Sequence, residues 1–221
     1  MNQNIKIAVL GGGGKTGKYL VDHLIEKGYS LKILLRNLPN SEDTSEQFLL
    51  YFANPLVEIV IGDAVNFEDI RVLLADCQVI ISTIGQRPGE PMVASMATEN
   101  ILKAMKDYKI KRYILVAGIN IDTPFDKKSE QTKAATNWMK NTFPAIHEDR
   151  VKAYDCLTKS DVDWTLVRLP IIEYTDQSFP VETSTEDCLG TKISTKDIAL
   201  FLEAQISDKT YLRTAPFLYN I

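Results

Sequence analysis

Near its start the chain carries a short apolar run, Ile5 to Leu10 broken only by Lys6, that ends in four consecutive glycines, Gly11 to Gly14. A run of this length without polar alternation reads as a strand buried on both faces, the condition of a parallel sheet. Directly after the glycines the period changes. Tyr19, Leu20, Leu24 and Ile25 recur at helical spacing, and Gly28 closes the segment as a left-handed cap. Buried strand, glycine turn and helix in immediate succession make half of a strand–helix–strand unit, and that constrains the fold more than any other feature.

The alternation continues along the chain. Strands are predicted at Leu31–Leu35, Val57–Ile61, Val79–Ser82, Tyr113–Ala117 and Trp164–Leu169. Between them lie helical patterns around Ile70–Leu74, Met92–Tyr108, Gln131–Asn141 and Asp149–Lys159, and a polar stretch from Arg36 to Glu46. Strands joined through helices cross over right-handed, so the expected class is α/β: a doubly wound parallel sheet of Rossmann type. Beyond Pro170 the pattern weakens to a short strand at Thr191–Ser194, a helix capped by Thr195 and running to Gln205, and an extended tail from Tyr211. With no repeat and no linker rich in Pro and Gly, a single domain over residues 1–221 is expected, with residues 170–221 mostly forming a small lid on the substrate side.

Two phosphate-binding readings compete for the segment from Ala8 to Gly17. A nucleoside-triphosphate loop needs Gly, four residues, then Gly-Lys followed by Ser or Thr. Gly14, Lys15 and Thr16 supply its end, but the opening position is Val9; in the other frame Gly17 and Lys18 are followed by Tyr19. Both frames fail. Gly11, Gly14 and Gly17 instead give Gly-x-x-Gly-x-x-Gly between strand and helix, the arrangement of a dinucleotide loop. Gly11 makes the turn, Gly14 lets a pyrophosphate reach the backbone, and Gly17 lets the helix pack on the strand, with the helix N-terminus offering free amides. The competing reading is a flexible glycine turn with no ligand.

Roughly twenty residues further on, such a unit carries an acid when it binds unphosphorylated ribose. Here the second strand ends Leu35-Arg36-Asn37. A guanidinium pairs with a 2′-phosphate and a carboxylate repels it, so Arg36 favours NADP(H) over NAD(H), with Lys15 as a second phosphate contact. A solvated arginine at a strand end is the alternative.

The formal net charge is -4, and no basic cluster exceeds the pair Lys127–Lys128, read as a solvated loop. A nucleic-acid partner is not expected. No apolar run approaches the roughly 18 residues of a transmembrane helix, so no membrane partner is expected either. The first residues lack a charged segment followed by an apolar one, which argues against a signal peptide and for the cytoplasm. The three cysteines, Cys77, Cys156 and Cys188, fit neither a disulfide framework nor a metal site. Cys77 and Cys156 lie in apolar patterns and read as small buried hydrophobes.

Taken together, Val9–Gly17, Leu35–Asn37, Ile61–Ala64, Ser160–Pro170 and Ile193–Ile198 resemble the atypical short-chain dehydrogenase/reductases, in particular the NmrA-like proteins and the biliverdin-IXβ/flavin reductase group. The likeness covers nearly the whole chain. It implies that Gly11, Gly14, Thr16 and Gly17 hold the pyrophosphate of an NAD(P) cofactor and Arg36 the 2′-phosphate. It further implies that Asp63 and Ala64 border the adenine, that Thr83, Ile84 and Gly85 run along the cofactor, and that Pro170 lies near its nicotinamide end. Without the likeness, Thr83 is equally a strand-end hydroxyl bonded to backbone.

The departures from that family bear on chemistry. Its usual set is Ser with a Tyr-x-x-x-Lys pair, in which lysine lowers the tyrosine pKa and tyrosine transfers a proton. No tyrosine here is followed by lysine at the fourth position. Val116–Gly118 stands where Ser or Thr is common, Ile171 stands where the biliverdin reductase group has His, and Arg150 or Lys152 stands near the lysine of other atypical members. No catalytic residue is therefore assigned.

Hydride transfer to a planar conjugated acceptor, a flavin or quinone, needs no enzyme acid if water supplies the proton and positioning supplies the rate. Ile119, Ile171, Ile172, Tyr174 and Phe179 are available to line an apolar pocket, or simply to pack under a lid. His147 is either a proton donor or carboxylate ligand, or an exposed loop residue; Arg87 attracts an anion or is solvated; His23 is structural or faces solvent. The alternative function is a non-catalytic NADP(H) redox sensor acting on a regulated protein. A sugar-nucleotide epimerase or dehydratase is disfavoured, because it needs the tyrosine base.

Overall fold

The computed structural model describes residues 5–37 and 46–221; residues 38–45 of the expected polar stretch lie outside them. Among the described residues the first six strands run parallel: β1 (Lys6–Leu10), β2 (Ser30–Leu35), β3 (Val57–Ile61), β4 (Val79–Ser82), β5 (Arg112–Gly118) and β6 (Asp163–Leu169). Their spatial order is β3-β2-β1-β4-β5-β6. The chain builds outward from β1 to β3 and then returns to the other side of β1, so the order reverses between β1 and β4. In open parallel sheets, ligands bind at the carboxyl ends of the strands beside such a reversal.

Alternate residues of each strand point to opposite faces, which is why a continuous apolar run is needed. Ile7 and Val9 face α1 (Lys15–Glu26) and α7 (Thr195–Ala204), meeting Leu20, Val21, Leu24, Ile198 and Leu202. Ala8 and Leu10 face the helices of the other layer: α3 (Phe67–Leu74), α4 (Ala94–Tyr108) and α6 (Pro144–Lys159) contribute Ile70, Leu73, Ile101, Met105 and Leu157. Each such Leu or Ile contributes about 1.5–3 kcal/mol through burial. Helix ends follow local chemistry. Asn66 caps α3 by accepting from the amides of Glu68 and Asp69, and Gly28 leaves α1 at φ +78°.

Some elements differ from expectation. α2 (Glu46–Ala53) was not foreshadowed by any pattern, yet Tyr51 is buried with its hydroxyl 2.8 Å from Asp22 Oδ1. Ser194, not Thr195, caps α7, its hydroxyl accepting from the Asp197 amide at 3.0 Å. The Thr195 hydroxyl is instead used by Thr175, whose amide donates to it at 3.0 Å. Cys77 is buried as expected, but the second buried thiol is Cys188; Cys156 is half-buried near Glu99. No helix among the described residues is long and apolar enough to cross a membrane.

The C-terminal segment does more than cover the sheet edge. β7 (Ile171–Glu173) and β9 (Lys192–Ser194) form a small parallel ladder, while β10 (Phe217–Asn220) enters the main sheet beside β6, with Phe217 opposite Arg168. β8 (Val181–Ser184) then pairs antiparallel with β10. Among the described residues eight strands thus share one sheet.

Candidate active site

The glycine turn is folded tightly where the strand order reverses. Gly11 has φ +79°, and a Cβ there would lie 2.8 Å from the Thr83 carbonyl carbon, so only glycine lets the exits of β1 and β4 touch. A Cβ on Gly17 would collide with the Gly11 carbonyl oxygen. Gly17 is therefore the residue that lets α1 start under the loop. Gly14 is the N-cap of α1; its amide donates to Gly11 O at 2.9 Å, no side chain caps the helix, and no acid occupies the first turn. The first-turn amides and the positive end of the helix are left for an anion.

These atoms border a cleft of about 150 Å³ that also collects Arg36, Asp63, Ala64, Thr83, Ile84 and Gly85. Gly62 lacks a Cβ where Asp69 approaches, and Asp69 Oδ2 accepts from the Asp63 amide at 2.8 Å, fixing the turn after β3. The Ala64 carbonyl is held by Asn100 Nδ2 at 3.1 Å. The Thr83 hydroxyl is turned to the backbone, 3.3 Å from Leu10 O. Of the remaining expected residues, Gly17 is buried behind the loop and Thr16 occupies the first turn of α1 outside the cleft lining. Lys15 lies on a neighbouring groove, its Nζ 5.2 Å from the Tyr174 ring centre. Pro170 lies at a second pocket.

Arg36 faces the cleft but is already engaged. Its Nη1 and Nη2 lie 2.6 and 3.0 Å from the two carboxylate oxygens of Glu90, and Arg87 lies 3.8 Å from the same carboxylate. The pairing holds the Glu90 carboxyl below its ordinary pKa and raises that of Arg36. Gln86 Nε2 donates to the carbonyls of Arg87, Glu90 and Pro91, so this loop is braced around one amide. Nothing in the local sequence marks Glu90 as Arg36's partner.

The second pocket, about 400 Å³, opens at the ends of β5 and β6. Gly118, Ile119, Leu169, Pro170 and Ile171 form its floor; Trp138 and Met139 of α5 (Glu130–Thr142) and Arg150 of α6 form its wall. Ile119 and Ile171 are thus where an apolar pocket needs them. Ile172 packs into the core, Tyr174 stands over Lys15, and Phe179 lies 5.7 Å from Lys192 Nζ. Asn120, also lining the pocket, has its Nδ2 2.9 Å from His147 Nδ1. With the amide donating, the neutral ring carries its proton on Nε2, and burial lowers the His147 pKa. His147 therefore stands behind the pocket wall. His23 is buried on α1, where burial likewise lowers its pKa.

A buried network that the sequence conceals holds the loop after β5. Arg168 is fully buried: its Nη1 lies 2.8 Å from both Asp126 oxygens and 2.9 Å from Ile121 O, its Nε donates to Ala215 O, and its guanidinium stacks on Phe217 at 3.5 Å. Lys128, expected to be solvated, is buried too, with Nζ 2.8 Å from Ile119 O and 2.7 Å from Asp122 Oδ1. Lys127 does face solvent, paired with Glu186. Among the described residues no group of His, Cys, Asp and Glu side chains comes together as metal ligands.

A sequence profile described as NAD(P)H-binding matches residues 11–209. An uncharacterized chloroplastic protein of Arabidopsis thaliana is 24% identical over 170 residues, covering 74% of this chain and 58% of that protein. An isoflavone reductase homolog of Nicotiana tabacum is 29% identical over 115 residues, 52% of this chain and 35% of its own length. The chain thus spans less than two thirds of the length of either relative. Among solved structures, a short-chain dehydrogenase/reductase of Veillonella parvula in complex with NADP superposes with a TM-score of 0.78 at 16% identity, over 98% of this chain and 94% of that one. ChuY, an anaerobillin reductase of Escherichia coli O157:H7, gives 0.73 at 18% identity over 97% of both chains.

Proposed function

Since the chain belongs to the NAD(P)H-binding family, we propose that it is an NADP(H)-dependent oxidoreductase that passes hydride to a planar conjugated acceptor, such as a flavin or quinone, held in the Pro170 pocket. The observation that carries this reading is that shared side chains link the two depressions through a third. Ile84 lines both the glycine cleft and a small cavity beside it, and Arg150 lines both that cavity and the apolar pocket.

The residues present fit the cofactor. Gly11, Gly14 and the first-turn amides of α1 would hold the pyrophosphate at a turn whose backbone packing a Cβ on Gly11 would break, and Asp63 and Ala64 would flank the adenine. Preference for NADP(H) over NAD(H) follows if Arg36 exchanges Glu90 for the more highly charged 2′-phosphate. When bound, the reduced nicotinamide supplies a hydride. The lining of Ile119, Trp138, Leu169 and Ile171 keeps a flat acceptor in place and excludes water from its faces. No tyrosine lines this pocket, so the accompanying proton is drawn from solvent. The partners in this reading are small molecules, with no role for nucleic acid or membrane.

Mixing the protein with NADPH and a panel of flavins and quinones, and following loss of the reduced nicotinamide absorbance, tests it. Turnover with at least one acceptor is expected, and none with any acceptor removes the catalytic reading. Discrimination between NADPH and NADP+ without turnover would favour a redox sensor acting on a partner protein.

A further inference from the structure

Among the described residues Arg150 is the arginine without a partner. Its guanidinium makes no hydrogen bond or ion pair among the described residues, whereas Arg36, Arg71, Arg87, Arg112, Arg168 and Arg213 all have one. The adjacent Asp149 does not supply the missing charge. Its carboxylate is occupied by the amides of Ala94 and Ser95 at the N-terminus of α4, at 2.7 and 3.2 Å, and by the Ser95 hydroxyl. Arg150 is also the one charged side chain in the lining of the Pro170 pocket and of the small cavity next to it. Burial pulls its pKa down, with Asp149 opposing, but a guanidinium stays protonated in a protein. Arg150 is half-buried, so its unpaired charge is only partly solvated, at a cost that an occupant bringing an anion offsets.

We infer that Arg150 anchors a carboxylate on the acceptor, so that the pocket takes flat conjugated acids in preference to neutral ring systems. This rests on the proposed use of the Pro170 pocket for the acceptor. A guanidinium fork matches a carboxylate or a phosphate. The pocket holds a single cation, and the rest of its lining is uncharged: apolar side chains such as Ile119, Trp138 and Met139, with the neutral polar groups of Asn120, Gln131 and Thr132 among them. One positive charge balances a carboxylate and leaves a phosphate dianion uncompensated. Trp138, 61% exposed, offers a ring face at the rim against which a conjugated plane can stack. The volume of about 400 Å³ lies within the range of small-molecule sites.

The test is binding, not turnover. Naphthalene- and anthracene-carboxylates, each against its carboxamide, are titrated into the full chain by calorimetry and by quenching of tryptophan fluorescence, with Trp138→Phe to remove the signal from the pocket. Wild type should bind each acid about tenfold tighter than its amide. Arg150→Met, which keeps the aliphatic stem, should bind both alike, and Arg150→Lys should keep part of the preference; Arg150→Gln replaces the methionine variant if that one does not fold. Equal binding of acid and amide by wild type, or a preference that persists in Arg150→Met, overturns the assignment. A parallel loss of NADP+ affinity in Arg150→Met also overturns it, because the guanidinium would then belong to the cofactor. Failure of hydride transfer to every flavin and quinone would refute the oxidoreductase reading while leaving these titrations unmoved.

Discussion

At the β1 end of the sheet's carboxyl edge the site is made of side chains that are absent, whereas at the β5–β6 end it is framed by long side chains that are buried. Gly11, Gly14 and Gly17 let backbone touch backbone, so that amides and a helix terminus are presented directly. Around the second pocket, Arg168, Lys128 and Asp126 hold the loop from Ile119 to Lys128 by charge and hydrogen bonds in the interior. The two guanidinium–carboxylate pairs show the same contrast. Arg36 and Glu90 are about a third exposed, so their pair is screened and weak. Arg168 and Asp126 are desolvated, so losing one partner strands the other. The exposed pair is thus the one that can be given up, and the buried pair the one that cannot.

The comparison can be broken most severely at Asp126. Asp126→Ala leaves Arg168 without its carboxylate and Lys128 with only Asp122, and should cost about 3–5 kcal/mol, a fall in Tm of roughly 10 °C for a chain of this size. Thermal unfolding reads it, and a nearly unchanged Tm would mean that packing alone holds the loop. Gly17→Ala tests the opposite end. Its Cβ has only backbone to move, so a loss of about 1–3 kcal/mol in stability is expected, together with loss of the NADP+ signal in calorimetry. Retained binding would show that the loop tolerates displacement and that absent side chains do not define the cleft.

Arg36→Asp sharpens the assignment of the phosphate. NADP+ should bind about ten- to a hundredfold more weakly while NAD+ changes little, and an unaltered preference in paired titrations would move the 2′-phosphate elsewhere. The smallest effect belongs to Glu90→Gln. Removing a screened competitor should raise NADP+ affinity by about a few-fold at most. A decrease would instead assign Glu90 to holding the cofactor.

What was readable along the chain shares one property: its determinants are neighbours in sequence. The β1–α1 turn could be located because strand, glycines and helix are contiguous, and Gly28 because a left-handed cap is a single-residue requirement. The first six strands showed themselves because burial on both faces demands unbroken apolar runs. Arg36 was placed at the cleft by its position at a strand end, whereas its partner lies fifty-four residues away and carries no local mark.

Lys128 read as a loop lysine because its acceptors, Ile119 O and Thr136 Oγ1, surround it only after β5 and α5 are docked. The tail was read as extended without its place in the sheet, because pairing with β6 and β8 depends on which edge is left open. The sequence by itself determined the alternating architecture and the glycine loop, since steric freedom and periodicity act over a few residues. Tertiary structure alone decided which charges are buried together, which arginine is left unpaired, and where the apolar pocket opens, since those depend on distances between residues far apart in the chain.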